Sequence, residues 1–106
     1  MIDKKKALDD FQITEKDFDE MLVEFVTQAD ENIRSMEKAL LEGKVQEAER
    51  FAHSLKGVAG NMRLDNCFLV ATKVDAVLKM GPPVSVETLL GDLKKAVDEV
   101  RLSIRI

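Results

Sequence analysis

Tryptophan and tyrosine are both absent from this sequence, which holds one cysteine, two prolines and a single histidine. The scarcity of proline, with only five glycines, leaves long stretches unbroken while Leu, Ala, Lys, Glu and Val recur, and that balance favours helices. No strand pattern competes. The lone Cys67 cannot close an internal disulfide, and no apolar run approaches the roughly 20 residues of a membrane span. The basic stretch Met1 to Lys6 has no apolar segment behind it, so no signal peptide is expected. These absences suit a reducing cytoplasm. An excess of basic residues is missing too: the formal net charge is −4, whereas a nucleic-acid backbone calls for a clustered basic surface.

What remains is 45% hydrophobic and 34% charged, too apolar for a disordered chain and too charged for a membrane protein. The 106 residues fit one domain, 1–106, around one core. From Phe18 onward, Leu22, Phe25, Ala29, Ile33, Met36 and Leu40 recur at spacings of three or four, which predicts a long amphipathic helix from Glu15 to Glu42. Thr14 with Asp17 resembles a capping box, and Gly43 suits the helix end. Before it, Ile2 to Phe11 predicts a short helix lying on the rest.

Ala48, Phe51, Ala52, Leu55, Val58, Ala59 and Met62 define a second main helix from Lys44 or Val45 to Met62. Asp65 is the expected N-cap of a third, with Cys67, Val70, Ala71, Val74, Val77 and Leu78 on its apolar face and Gly81, Pro82 and Pro83 ending it. Ser85 should cap a fourth, carrying Val86, Leu89, Leu90, Leu93, Ala96, Val97, Val100 and Ile104, with Val84 and Leu89 as a hydrophobic staple. Four main helices joined by short loops pack best as an all-α, antiparallel up-down-up-down four-helix bundle with a short N-terminal helix.

His53 lies within the second main helix. On a wheel advancing about 100° per residue with His53 at zero, Phe51, Leu55, Val58, Ala59 and Met62 fall at about 140° to 240°. The histidine is therefore opposite the core. Gly57 and Gly60 fall within about 40° of it, and each interior glycine costs a helix about 1 kcal/mol relative to alanine. A local rule broken without gain to the fold marks a place to look for function. The core stripe lies on the other side, so the glycines are expected to admit a partner or the N-terminal segment. Lys56, one turn on, can offset negative charge on a modified imidazole, which when neutral is a nucleophile.

Phe51 to Ala59, Phe-Ala-His-Ser-Leu-Lys-Gly-Val-Ala, resembles the Ala-His-x-Leu-Lys-Gly pattern of the histidine-containing phosphotransfer (HPt) domains of multistep two-component phosphorelays, and the helical layout extends the resemblance to nearly the whole chain. By that resemblance, His53 is the phosphorylated nucleophile, accepting a phosphoryl group from a receiver-domain aspartyl phosphate and passing it to another receiver aspartate. Lys56 would stabilise the phosphoryl charge, and Gly57 and Gly60 would give the receiver access. Gln46, Glu49 and Arg50 share the His53 face and are candidate receiver contacts. The implied partners are response-regulator receiver domains and a hybrid sensor histidine kinase, met by a monomer with no membrane insertion.

No cofactor and no metal are expected in this chain; the Mg²⁺ belongs to the partner receiver domain. With no phosphate-binding glycine loop, the chain is a phosphocarrier without its own nucleotide site and not a complete kinase. Arg63 departs from the pattern, many relatives carrying glycine there. Phe68, Leu69 and Leu102 lie off the core stripes and are candidates for a docking patch.

Three other readings stand beside this one. The phosphotransfer domain of a chemotaxis-type histidine kinase resembles the same motif but takes its phosphoryl group from an ATP-using kinase domain. A non-catalytic helical adaptor would need no histidine chemistry. A metal-dependent hydrolase or carrier in a bundle projects several Glu and His ligands inward, which a single outward histidine does not match.

Overall fold

The computed structural model describes residues 4–80 and 86–105. Five helices follow one another: α1 (Lys4–Phe11), α2 (Glu15–Leu41), α3 (Val45–Asn61), α4 (Asp65–Lys79) and α5 (Val86–Ser103). The 27 residues of α2 span about 40 Å at the helical rise, which accounts for most of the 43 Å long axis of the molecule. Each main helix packs on the next, and α5 closes the ring against α2, whereas the diagonal pairs make no close approach among the described residues. That closed sequence of neighbours is the up-down-up-down four-helix bundle expected from the four apolar stripes. α1 packs on α2.

The stripes are the core. Phe18, Leu22, Phe25, Ala29, Ile33 and Met36 of α2 are buried against Ala48, Ala52, Leu55 and Ala59 of α3, with Leu78, Leu90, Leu93 and Val97 from the facing pair. Val58, assigned to the same stripe, is instead exposed. At about 140° on the wheel it sits at the edge of the apolar arc, and the arc proves narrower because α3 meets its neighbours mainly through alanines.

The helix ends follow local chemistry. Thr14 accepts a hydrogen bond from the Asp17 amide at 3.1 Å and so caps α2. At its far end, Lys44 N donates to Ala39 O at 2.8 Å and Gly43 N to Leu40 O at 3.1 Å, with Gly43 at φ +73°, the Schellman arrangement that favours glycine. The same pair of bonds ends α3, from Leu64 N to Ala59 O and from Arg63 N to Gly60 O, but here the left-handed residue is Arg63 at φ 62°. A side chain in that conformation costs about 1 kcal/mol. Arg63 is held there by what it reaches: its Nε lies 3.3 Å from Asp10 Oδ2, and its guanidinium lies 5.4 Å from the centre of the Phe11 ring.

Leu64, not Asp65, occupies the N-cap of α4. The Schellman bond at the end of α3 places Leu64 in the core, 1% exposed, so the cap position goes to an apolar side chain, and Asp65 enters the first turn. There its charge still favours the helix N-terminus. Gly81, Pro82, Pro83, Val84 and Ser85, which were expected to form the break and the next cap, lie outside the described residues, as does Ile2. A second tie fixes the termini: Lys4 Nζ lies 2.6 Å from the buried Asp19 carboxylate and donates to Ser103 O, while Arg105 N donates to the other Asp19 oxygen at 3.1 Å. No helix of the described residues is long and apolar enough to cross a membrane.

Candidate functional site

His53 stands on the outer face of α3 with its side chain 66% exposed, as the wheel predicts. It is not isolated there. Asp75 of α4, only 2% exposed, turns its Oδ2 toward the ring at 3.7 Å from His53 Nδ1. The same oxygen lies 3.8 Å from Lys56 Nζ and 3.3 Å from Lys79 Nζ. One buried carboxylate thus gathers the imidazole and two ammonium groups.

Burial alone would push the Asp75 carboxyl up. Hydrogen bonding with Glu49, the hydrogen bond and charge of Lys79 and the charge of His53 oppose that effect and together hold Asp75 below the ordinary carboxylate range. Asp75 is therefore an anion at neutral pH. At 3.7 Å it is too far for a hydrogen bond to Nδ1, but its charge favours the ring tautomer with the proton on that nitrogen. The lone pair is then on Nε2.

The predicted contact residues are brought together one turn away. Gln46, Glu49 and Arg50 line a cleft of about 350 Å³ completed by Leu78 and Lys79 of α4. The two glycines separate. A Cβ at Gly57 would meet nothing within 4 Å, so the surface beside His53 is open at that point. At Gly60 a Cβ would lie 3.0 Å from Phe68 Cδ1, because that ring packs onto the helix here. The space over Gly60 is thus filled by α4, which corrects the expectation that a partner or the N-terminal segment covers it. α1 packs on α2 instead. Phe68 stays 40% exposed, with Leu69 and Leu102 exposed as well, in keeping with their places off the stripes. Cys67 is no rival nucleophile: burial, helped by the charge of Glu99, pushes its thiol up to about 12.

A family model described as the Hpt domain matches residues 20–103. The chain belongs to that family. No curated protein and no solved structure matches it. As an Hpt domain it takes part in histidine phosphotransfer within phosphorelays, with receiver domains of two-component systems as partners. The match begins within α2 and leaves out α1, so the Lys4 tie to Asp19 and the Arg63 tie to Asp10 fasten a helix that lies outside the matched segment.

Two members of this Hpt site escaped the sequence, Asp75 and Lys79. A signal for both existed. Asp75 is four residues after Ala71 and three before Leu78, hence inside the apolar face of α4, and a carboxylate there requires a partner. Lys79, four residues on, lies one turn above it on the same helix.

Proposed function

We propose that His53 is the phosphorylated residue and that it relays a phosphoryl group from the aspartyl phosphate of one receiver domain to the aspartate of another. The observation that carries this reading is the exposed imidazole on a face left open at Gly57, its inner nitrogen turned to an anionic, buried Asp75. In the forward step the Nε2 lone pair attacks phosphorus, the bond from phosphorus to the receiver's carboxylate oxygen breaks, and the aspartate leaves as a carboxylate. The proton on Nδ1 stays in place. As the ring gains positive charge, Asp75 offsets it. Lys56, already within reach of the same locus, is placed to swing onto the phosphoryl oxygens.

Phosphoryl transfer rests mainly on positioning and charge neutralisation. In this account the receiver brings the Mg²⁺ and the remaining catalytic groups, and the Hpt domain brings a nucleophile. Gln46, Glu49 and Arg50 flank the docking area, and the protein acts in the cytoplasm as a monomer engaging one receiver at a time. The test is incubation of the purified protein with labelled, phosphorylated receivers and, separately, with histidine-kinase catalytic domains and ATP. Acid-labile, base-stable label should pass from a receiver to the wild type and not to His53→Gln. Label arriving only from the kinase domain supports the chemotaxis-type reading instead, and label retained by His53→Gln removes His53 from the mechanism.

A further inference from the structure

Glu49, His53 and Asp75 each present one donor atom within 4.8 Å of the other two. Two helices supply it, Glu49 and His53 one turn apart on α3 and Asp75 across from them on α4. Asp75 adds a second observation. It is 2% exposed, and among the described residues its Oδ1 receives no hydrogen bond, a costly state for a buried oxygen.

We propose that these three side chains form a binding site for a borderline-soft divalent transition metal such as Zn²⁺, and that the bound ion shuts off phosphorylation of His53. Two carboxylates and an imidazole are a donor set that Zn²⁺ accepts, with solvent on the exposed side of His53 completing the coordination. Mg²⁺ is a poorer fit because it prefers an octahedron of oxygens and keeps its water. The ammonium groups of Lys79 and Lys56 compete for Asp75, but Lys79 is half exposed and its long stem can turn to water.

The inhibitory consequence follows from the ring. The nitrogen that faces Asp75 is Nδ1, so the metal takes the Nδ1 lone pair and the ring proton resides on Nε2. A protonated Nε2 has no lone pair with which to attack phosphorus. Binding of the ion stands independently of the relay, whereas the inhibition rests on His53 being the nucleophile. The proposal revises the expectation of no metal, which rested on the single outward histidine and had no view of Asp75.

The experiment titrates Zn²⁺ alone into the untagged full chain by calorimetry. One ion per chain should bind to the wild type, at least tenfold more weakly to Glu49→Gln, not at all to His53→Gln, and more tightly to Lys79→Ala. Glu49 is partly exposed, so its variant tests the site even if Asp75→Asn folds poorly. No binding at millimolar Zn²⁺, or binding that Glu49→Gln leaves unchanged, overturns the site. A second arm uses phosphoramidate, which transfers its phosphoryl group to Nε2 with loss of ammonia and needs no receiver. Labelling should stop when Zn²⁺ is saturating and return with a chelator. Labelling unaffected by bound Zn²⁺ overturns the inhibition while leaving the metal site intact.

Discussion

Replacing Asp75 by asparagine keeps the shape of the side chain and removes the charge that faces His53. Two unit charges 3.7 Å apart interact by about 4 kcal/mol at an effective dielectric constant of about 20. The imidazole is two-thirds exposed, so water screens the pair, and about 1 to 2 kcal/mol is the share left to stabilise the ring as it becomes positive. That amount slows phosphoryl transfer by roughly five- to thirtyfold. The assay is single-turnover transfer from a phosphorylated receiver, followed by rapid quench, with circular dichroism to establish that the variant is folded. A folded Asp75→Asn protein that accepts phosphate within twofold of the wild-type rate would refute the positioning role. The same carboxylate sets a pH dependence. Its folded pKa lies below its ordinary value of 3.8, so its contribution to stability is complete above that value and is lost as the pH falls through the folded pKa. The stability gap between wild type and Asp75→Asn should therefore shrink as the pH falls below about 4; a gap that keeps widening below that pH contradicts the assignment.

Removing one partner of the buried tie at the termini, by Lys4→Met, leaves Asp19 without its cation and should lower stability by about 3 kcal/mol in urea titrations. A loss under 1 kcal/mol would show that the tie is dispensable. Gly57→Ala should raise stability by about 1 kcal/mol, there being free space for the methyl group, while slowing transfer from the receiver through a less open docking face. Gly60→Ala should gain less, since its methyl must move the Phe68 ring, and equal gains in melting temperature for the two variants would dispose of that distinction. Arg63→Gly relieves the left-handed strain, worth about 1 kcal/mol, but removes the contacts to Asp10 and Phe11 that tie α1 to the end of α3. Net stability should change little while amide exchange in α1 accelerates; unchanged protection there would mean that Arg63 does not hold it.

The bundle was legible because its four apolar stripes are long and their period is that of a helix. Phe18 to Met36 and Leu90 to Val100 needed no tertiary information, and the Thr14 cap and the Gly43 end are written in local chemistry. The start of α4 was not legible: the six-to-one bond at the end of α3 draws Leu64 inward and fixes the cap one residue early. The site was legible as far as its own helix extends. His53, Lys56 and Gly57 share a face that the wheel displays, but a wheel has no second helix. Asp75, Lys79 and the ring over Gly60 come from α4, and only the packing of α4 on α3 puts them there. Asp75 was in view as a carboxylate within an apolar face, and its burial was the clue.

The central claim is that a phosphoryl group resides on Nε2 of His53 in transit between receivers. Nitrogen NMR of the ¹⁵N-labelled protein after incubation with a phosphorylated receiver tests it directly. The account predicts that the single imidazole spin system shifts to that of an Nε2-phosphorylated, Nδ1-protonated ring and reverts when an unphosphorylated receiver is added. An imidazole spectrum that stays unchanged, or one that reports phosphate on Nδ1, contradicts it.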